Sequence, residues 1–454
     1  MKSHPIRILL TLTMSYCILA LISCSEENAT SPVQVGENVT GTGLQKHATR
    51  YLVEYAGKIE RAKASVRALG GVIEHEFPQI GLLGISGLSD QTAMQLLSKP
   101  GIKSYTRDTY EQFVPTSSTL GVIQAASLIG PANTTGDPAA APAYLDGDQW
   151  GLDAINAPAA WKITTGSSDV RVGVLDSGIS PEHPDLKGRY DLTRSKNFST
   201  SSPNDPSAYI DYLGHGTFVS GIISTNNIKV AGVAPDITMV GIKILSDKGG
   251  GFQANVIAGI LYAADQGDCD IINLSIGSYF SKKQNGSYLA RIQRAVNYAR
   301  GNGVLVVCSA GNGAIDLDHN GPLMVGPGQT AGAMMISATA PYHGTNPDTP
   351  TKYTNYGRSA IHLAAPGGQG PYFGNALKDC IRSCYPPNTY GWGIGTSFSA
   401  PHVAAAAALV ESKTGNSNPG FLKTRLQNSA DDCGAPGVDP YFGKGRLNVG
   451  AAVQ

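Results

Sequence analysis

The sequence predicts an α/β chain, a mainly parallel sheet flanked by helices, preceded by a small α+β domain of ferredoxin-like order. Three observations predict it. From Trp150 onward, short apolar runs rich in β-branched residues alternate with helical stretches, the pattern of strands buried on both faces of a parallel sheet. Before that, residues 49–110 read strand, helix, strand, strand, helix, strand. The composition supplies a large core, with 454 residues, 41% of them hydrophobic and 15% charged, against a usual charged share of about 25%. Thirty-four basic residues balance 34 acidic ones, which removes the electrostatic case for a nucleic-acid partner. The 55 glycines are about 12% of the chain where ~7% is usual, so the backbone must turn tightly or approach something closely at many places.

The N-terminus reads as an address. Lys2 and Arg7 precede an apolar stretch, Ile8 to Ile22, which suits a signal sequence and is short of the ~20 residues that span a membrane. It ends in Leu21-Ile22-Ser23-Cys24, in the order of a bacterial lipobox, so residues 1–23 are expected to be removed and Cys24 acylated. The other reading is an ordinary secretory signal that contains Cys24. Both readings export the chain, and a lipid on Cys24 would be its membrane contact. Polar residues 24–48 read as a flexible tether.

The small domain follows at 49–115. Tyr51-Leu52-Val53-Glu54-Tyr55 is a strand; Ile59, Ala62, Val66 and Leu69 line one face of a helix that ends at Gly70-Gly71. Val72 to Phe77 and Leu82 to Ile85 are strands, separated by Pro78 and Gly81. Ser89 can cap a second helix carrying Ala93, Met94, Leu96 and Leu97, stopped by Pro100-Gly101. Ile102 to Tyr110 is the last strand. Residues 116–148 show weak periodicity and read as a linker open to proteolysis. The domain from 149 to 454 carries the chemistry.

Three motifs stand out there. Val170 to Leu175 is an apolar run followed by Asp176-Ser177-Gly178, a polar residue at the carboxyl end of a buried strand. Gly214-His215-Gly216-Thr217 opens an apolar helix, and its glycines imply a close approach to the histidine backbone. Gly395-Thr396-Ser397-Phe398-Ser399-Ala400-Pro401-His402 opens a helix apolar all round, hence buried, whose N-terminal dipole favours negative charge beside Ser397. A serine needs a base to become a nucleophile.

In the order Asp, His, Ser, these motifs resemble those of the subtilisin-like serine proteases. The resemblance covers Gln149 to about Val449, and the domain before it resembles that family's inhibitory propeptide. It implies a serine endopeptidase made as a zymogen, with its activation site in 116–148. In that reading Ser397 is the nucleophile, His215 the base, Asp176 its orienting carboxylate, and Asn312 of Ala310-Gly311-Asn312 the oxyanion donor together with the Ser397 backbone N–H. Gly249, Gly250 and Gly251, with Ser275, Ile276 and Gly277, look like the family's two substrate-binding segments. Bare backbone there lets an extended peptide add itself as a strand. Broad specificity is expected, with an apolar or aromatic preference. One departure is Phe398, where the family usually has methionine.

The resemblance also implies a structural calcium site at Gln149, Asp185 and Asn227, although Asn226 to Val230 is a residue shorter than the family loop and carries Lys229. No organic cofactor is implied. Of the five cysteines outside the signal, Cys269 and Cys308 read as buried thiols. Cys380, Cys384 and Cys433 are disulfide candidates, most simply Cys380 to Cys384. The partners expected are protein or peptide substrates and the chain's own propeptide, with a monomeric catalytic domain, lipid-anchored in a bacterial envelope until activation frees it. Two rival readings are a processing peptidase with one cognate substrate and a catalytically silent, anchored binding protein on the same fold.

Overall fold

The structure is a computed structural model that describes residues 49–454 apart from 115–120, 127–130, 200–204, 206–207, 343 and 371–375. Cys24, the signal and the tether therefore lie outside the described residues.

The N-terminal domain has the expected order. Its strands lie in the sequence Val72–Phe77, Leu82–Ser86, Arg50–Tyr55, Ile102–Arg107, each antiparallel to its neighbour. The Ile59–Arg67 and Asp90–Met94 helices accompany them, and Ser89 caps the second by accepting from Thr92 N. Strand alternation divides the side chains between two cores. Tyr51, Val53, Leu83 and Ile85 pack with Ala62, Val66 and Leu96 inside the domain. Leu52, Leu82 and Phe77 point the other way, into a core shared with the main-domain helices Gln253–Asp265 and Lys282–Gly301. On that same face Glu54 pairs with Arg291 at 3.0 Å and Arg294 at 2.8 Å. The two guanidinium groups hold the Glu54 carboxyl below its ordinary range against the opposing effect of burial, which is the larger single influence.

The last strand differs from the sequence reading. Ile102–Arg107 stays in the first sheet, whereas Tyr110–Gln112 leaves it and pairs antiparallel with Gly250–Phe252 of the main domain. Asp108 makes the break. Its buried carboxylate accepts from Ala254 N at the start of a main-domain helix, and the salt bridge to Arg50 ties it back. Tyr110 and Phe113 keep large apolar side chains in the sequence past this point, so composition alone does not mark the exit. The 116–148 linker also differs. Gly121–Ala126 is a strand on Thr389–Ile394, and Pro138–Leu145 forms short helical turns that bury Ala141 and Ala143 in the main core.

The main sheet runs Thr349–Pro350, Ala333–Ala340, Leu305–Ser309, Ile271–Leu274, Arg171–Asp176, Thr238–Lys243, Lys196–Asn197, with Leu363–Pro366 also on Ala333–Ala340. Every pairing is parallel except that of Thr349–Pro350. Successive residues feed opposite cores. Val172, Val174, Leu305 and Val307 face the Thr396–Thr414 helix side, and Leu175, Val306 and Cys308 face the Gln253–Asp265 side. The Thr396–Thr414 helix is buried from Phe398 through Glu411, as its uniform apolarity predicts. The Thr238–Lys243 strand ends before the apolar run does. Ile244 and Leu245 bury equally well in the loop that follows, which hydrophobicity cannot distinguish from strand.

Candidate active site

Asp176 ends an interior strand at the carboxyl edge of the sheet, where open α/β sheets present ligands. Its Oδ1 accepts from Ser177 N at 2.7 Å and lies 2.8 Å from His215 Nδ1. A carboxylate only accepts, so Nδ1 carries the proton and Nε2 is left to act as a base. The His215–Ile223 helix can come this close because residue 216 is glycine; a Cβ there would lie 2.2 Å from Gly178 O. Burial disfavours a charged imidazole, but the Asp176 carboxylate, with Asp211 behind it, more than offsets this. The ring therefore holds its proton above the ordinary value of 6.5.

Asp211 was not singled out in the sequence, yet it builds the histidine turn. Its Oδ1 accepts from Ser177 Oγ, Leu213 N and Gly214 N, and its Oδ2 from Thr217 N and Oγ1. An aspartate three residues before a Gly-His-Gly turn is the signal that could have found it, since Asp commonly caps turns of this kind.

Ser397 is the second residue of its helix. The Phe398 ring beside it packs on His215, with centroids 5.7 Å apart, and on Phe218 at 4.4 Å, which seats the helix start against the imidazole. Ser275 Oγ donates to Ser397 O at 2.6 Å. Among the described residues Ser397 Oγ makes no hydrogen bond to His215, a contact that commonly tightens only when substrate binds.

Asn312 Oδ1 accepts from Thr396 N at 2.9 Å and Thr396 Oγ1 at 2.8 Å, which leaves its Nδ2 donors facing away. A Cβ built on Gly395, whose φ is +147°, would lie 3.4 Å from Asn312 Nδ2 and 3.8 Å from Ser397 N. The Asn312 amide and the Ser397 N–H thus lie beside the same glycine. Asn355, also missed in the sequence, braces this loop. Its Oδ1 accepts from Gly313 N and Ile315 N, each at 3.0 Å, and its Nδ2 donates to Ala310 O at 2.8 Å.

Of the two segments expected to bind substrate, Gly249, Gly250 and Gly251 pair with residues 110–114, the tail of the N-terminal domain. Beyond the Tyr110–Gln112 ladder, Phe113 N and Val114 N both donate to Gly249 O at 3.1 Å. Ser275 and Ile276 are buried and Gly277 half-buried at the end of the Ile271–Leu274 strand. The tail pairs with the first of these segments.

The calcium expectation does not fit the donor set. Asp185 Oδ1 accepts from Ile228 N, and Oδ2 from Lys229 N, Val230 N and Tyr390 OH. Gln149 spends both ends of its amide on Ala231, accepting from its N and donating to its O. Asn227 donates Nδ2 to Gly136 O and accepts at Oδ1 from Thr225. Calcium needs six to eight oxygens with lone pairs turned toward it, and here those lone pairs meet N–H and O–H groups. The loop at 228–230 is folded onto the Asp185 carboxylate.

The cysteine expectation is corrected as well. Cys269, Cys308, Cys380, Cys384 and Cys433 are all free and buried. Cys380 immediately precedes the Ile381–Tyr385 strand that contains Cys384; four residues of extended chain span about 13 Å, and a disulfide needs Cα atoms within ~7 Å. Cys433 sits in a separate cluster with Ala364 and Phe442. Burial pushes the Cys380 thiol up to about 12, and the Cys384 and Cys433 thiols up as well, so all three are poor nucleophiles. Among the described residues there is no cluster of His, Cys, Asp and Glu suited to a metal, and no helix is long and apolar enough to cross a membrane.

Comparison with known proteins places this geometry in a family. Residues 167–445 match the Subtilase family. Thermitase from Thermoactinomyces vulgaris is 32% identical over 316 residues, covering 68% of this chain and 98% of the relative. Two solved structures share the fold. The epidermin leader peptide processing serine protease from Staphylococcus aureus has a TM-score of 0.73 at 23% identity, over 90% of this chain and 98% of its own. The nisin leader peptidase from Lactococcus lactis has a TM-score of 0.58 at 25% identity, over 67% and 93%. The chain belongs to the subtilase family and is a serine endopeptidase of subtilisin-like fold.

Proposed function

We propose that this endopeptidase is made as a zymogen whose N-terminal domain is its inhibitory propeptide, and that Ser397, His215 and Asp176 form the triad. The single observation that carries the reading is the tail, Tyr110 to Val114, laid as an antiparallel strand on the Gly250 edge. A peptide on this edge is held through its main chain, which favours many sequences. In the reaction Ser397 Oγ attacks the scissile carbonyl while His215 Nε2 takes its proton, later giving it to the leaving amine. Asp176 holds the imidazole in the required tautomer and stabilises its charged form. Asn312 Nδ2 and Ser397 N donate to the developing oxyanion. Broad specificity with an apolar or aromatic preference, export, and lipid anchoring at Cys24 until cleavage complete the reading.

A fluorophosphonate probe tests it: the wild-type chain is expected to be labelled at Ser397 and the Ser397→Ala chain not at all. Labelling of neither would favour a silent binding protein. A dedicated processing role is the second reading, favoured by the similarity to the nisin leader peptidase. Cleavage mapping on a whole proteome separates the two, since a dedicated enzyme leaves nearly all sites intact.

Two further outcomes follow from the geometry. Asn312→Ala is expected to lower kcat by about 10²–10³ with little change in KM, the loss subtilisin shows for its own oxyanion asparagine; steady-state kinetics on one peptide checks it. His215 must be neutral to accept a proton, and its pKa is raised. Activity should therefore climb with pH through a midpoint above 6.5, and a kcat/KM profile with its acid limb below 6 would contradict the assignment.

A further inference from the structure

The tail shows more than main-chain pairing. Tyr110 lies opposite Phe252 in the ladder, and its ring reaches diagonally across Gly250. A Cβ on residue 250 would stand 2.4 Å from Tyr110 Cε1 and 2.7 Å from both Cζ and the hydroxyl oxygen, so the ring rests directly on bare backbone. The Phe252 ring meets it edge-on, with centroids 5.3 Å apart and planes at 81°, a favourable aromatic arrangement. At the far end the Tyr110 hydroxyl lies 2.7 Å from Ser246 Oγ.

Main-domain residues supply the floor, the aromatic wall and the polar end of the slot, and Arg50 of the N-terminal domain backs the wall, its guanidinium carbon 4.5 Å from the Phe252 ring centre. Ser246 N donates to Gly250 O at 2.8 Å and Gly249 N to Ser246 O at 2.9 Å, which closes the turn between the serine and the edge strand. Ser246 Oγ also accepts from Lys248 N at 3.3 Å, which orients the hydroxyl. Phe252 is buried. A floor without a side chain, an aromatic wall and a hydroxyl at the end match one kind of side chain: a flat ring that carries a polar group at its tip.

We infer that Gly250, Phe252 and Ser246 form a tyrosine-selective subsite for peptide substrates, engaging the residue three positions before the one whose N–H meets Gly249 at Phe113. This rests on the reading of the Gly250 edge as the substrate edge. Selectivity so far along the chain would come on top of main-chain recognition, narrowing the sequences cut well without removing the tolerance elsewhere.

The test uses the activity obtained by expressing the full chain and three internally quenched peptides that copy residues 108–126. They carry Tyr, Phe or Ala at the place of Tyr110. Wild type is expected to show kcat/KM about tenfold or more lower for Ala and about threefold lower for Phe. Ser246→Ala is expected to bring the Tyr-to-Phe ratio to about one, and Gly250→Ala to collapse the Tyr-to-Ala ratio. Equal rates for all three peptides on wild type would overturn the subsite and leave the protease reading standing. Absence of turnover by a chain already cut after the tail would instead overturn the protease reading, whereas a chain left uncut is an inhibited zymogen and turns over none of the three. Fluorescence anisotropy of the same peptides on the Ser397→Ala chain then decides the subsite, because the attached tail competes equally with each; equal affinities overturn it and the order Tyr, Phe, Ala supports it.

Discussion

Replacing Ser397 with alanine is expected to lower kcat/KM by about 10⁶-fold, the scale of loss subtilisin itself shows when it loses its nucleophile. The thermal midpoint should stay nearly where it is. Ser397 Oγ makes no hydrogen bond to His215 among the described residues, and the helix start is held by other groups: Ser275 Oγ on Ser397 O, Asn312 Oδ1 on Thr396, and the Phe398 ring on His215 and Phe218. His215→Ala should cost a similar factor, because without a base the hydroxyl is a poor nucleophile. Asp176→Asn should cost about 10⁴-fold, since an amide in that place no longer enforces the tautomer with its proton on Nδ1. The double variant Ser397→Ala with His215→Ala should be little worse than either single one, because the two act as a unit. Kinetics with calorimetry on the same preparations checks both halves. A Ser397→Ala chain that keeps more than about a hundredth of wild-type activity would remove Ser397 from the role of nucleophile.

The legible part of the chain is the part where local sequence and tertiary need coincide. The Asp176 strand, the His215 turn and the Ser397 helix each carry a motif whose spacing is fixed by their own backbone, and each lies where its motif indicates. The order of the small N-terminal domain was readable because apolar alternation and Ser89 sit within one element at a time. What was not readable depends on residues far apart in the chain. Asp211 looks like any turn aspartate until the Ser177 hydroxyl, 34 residues earlier in the chain, joins the four donors of its own turn on it. Asn355 is unremarked in sequence because the loop it braces lies about forty residues earlier. The strand formed by Tyr110–Gln112 exists only because the Gly250 edge receives it. The disulfide expectation failed because a spacing of four residues suits a loop, whereas these residues are extended.

The same distinction gives the second large effect, at Asp185. Its fully buried carboxylate gathers three backbone N–H groups from Ile228, Lys229 and Val230 and the Tyr390 hydroxyl. It thereby joins the loop after the His215 helix to the strand that leads into Ser397. Burial, the larger influence, outweighs these four bonds and holds the carboxyl above its ordinary value of 3.8. Asp185→Asn keeps the shape but turns an N–H2 toward groups that are themselves donors. Buried donors left without acceptors cost about 1–3 kcal/mol each. A net loss of about 2–4 kcal/mol is expected, with the thermal midpoint lower by roughly 2–6 °C. The size of this loss should be the same in excess calcium and in EDTA, because the lone pairs of Asp185 serve protein donors and not a cation. If Asp185 were a calcium ligand, chelation would destabilise wild type and shrink the difference between the two chains. Scanning calorimetry of both proteins under both conditions separates these outcomes, and a difference that vanished in EDTA would return the residue to a metal site.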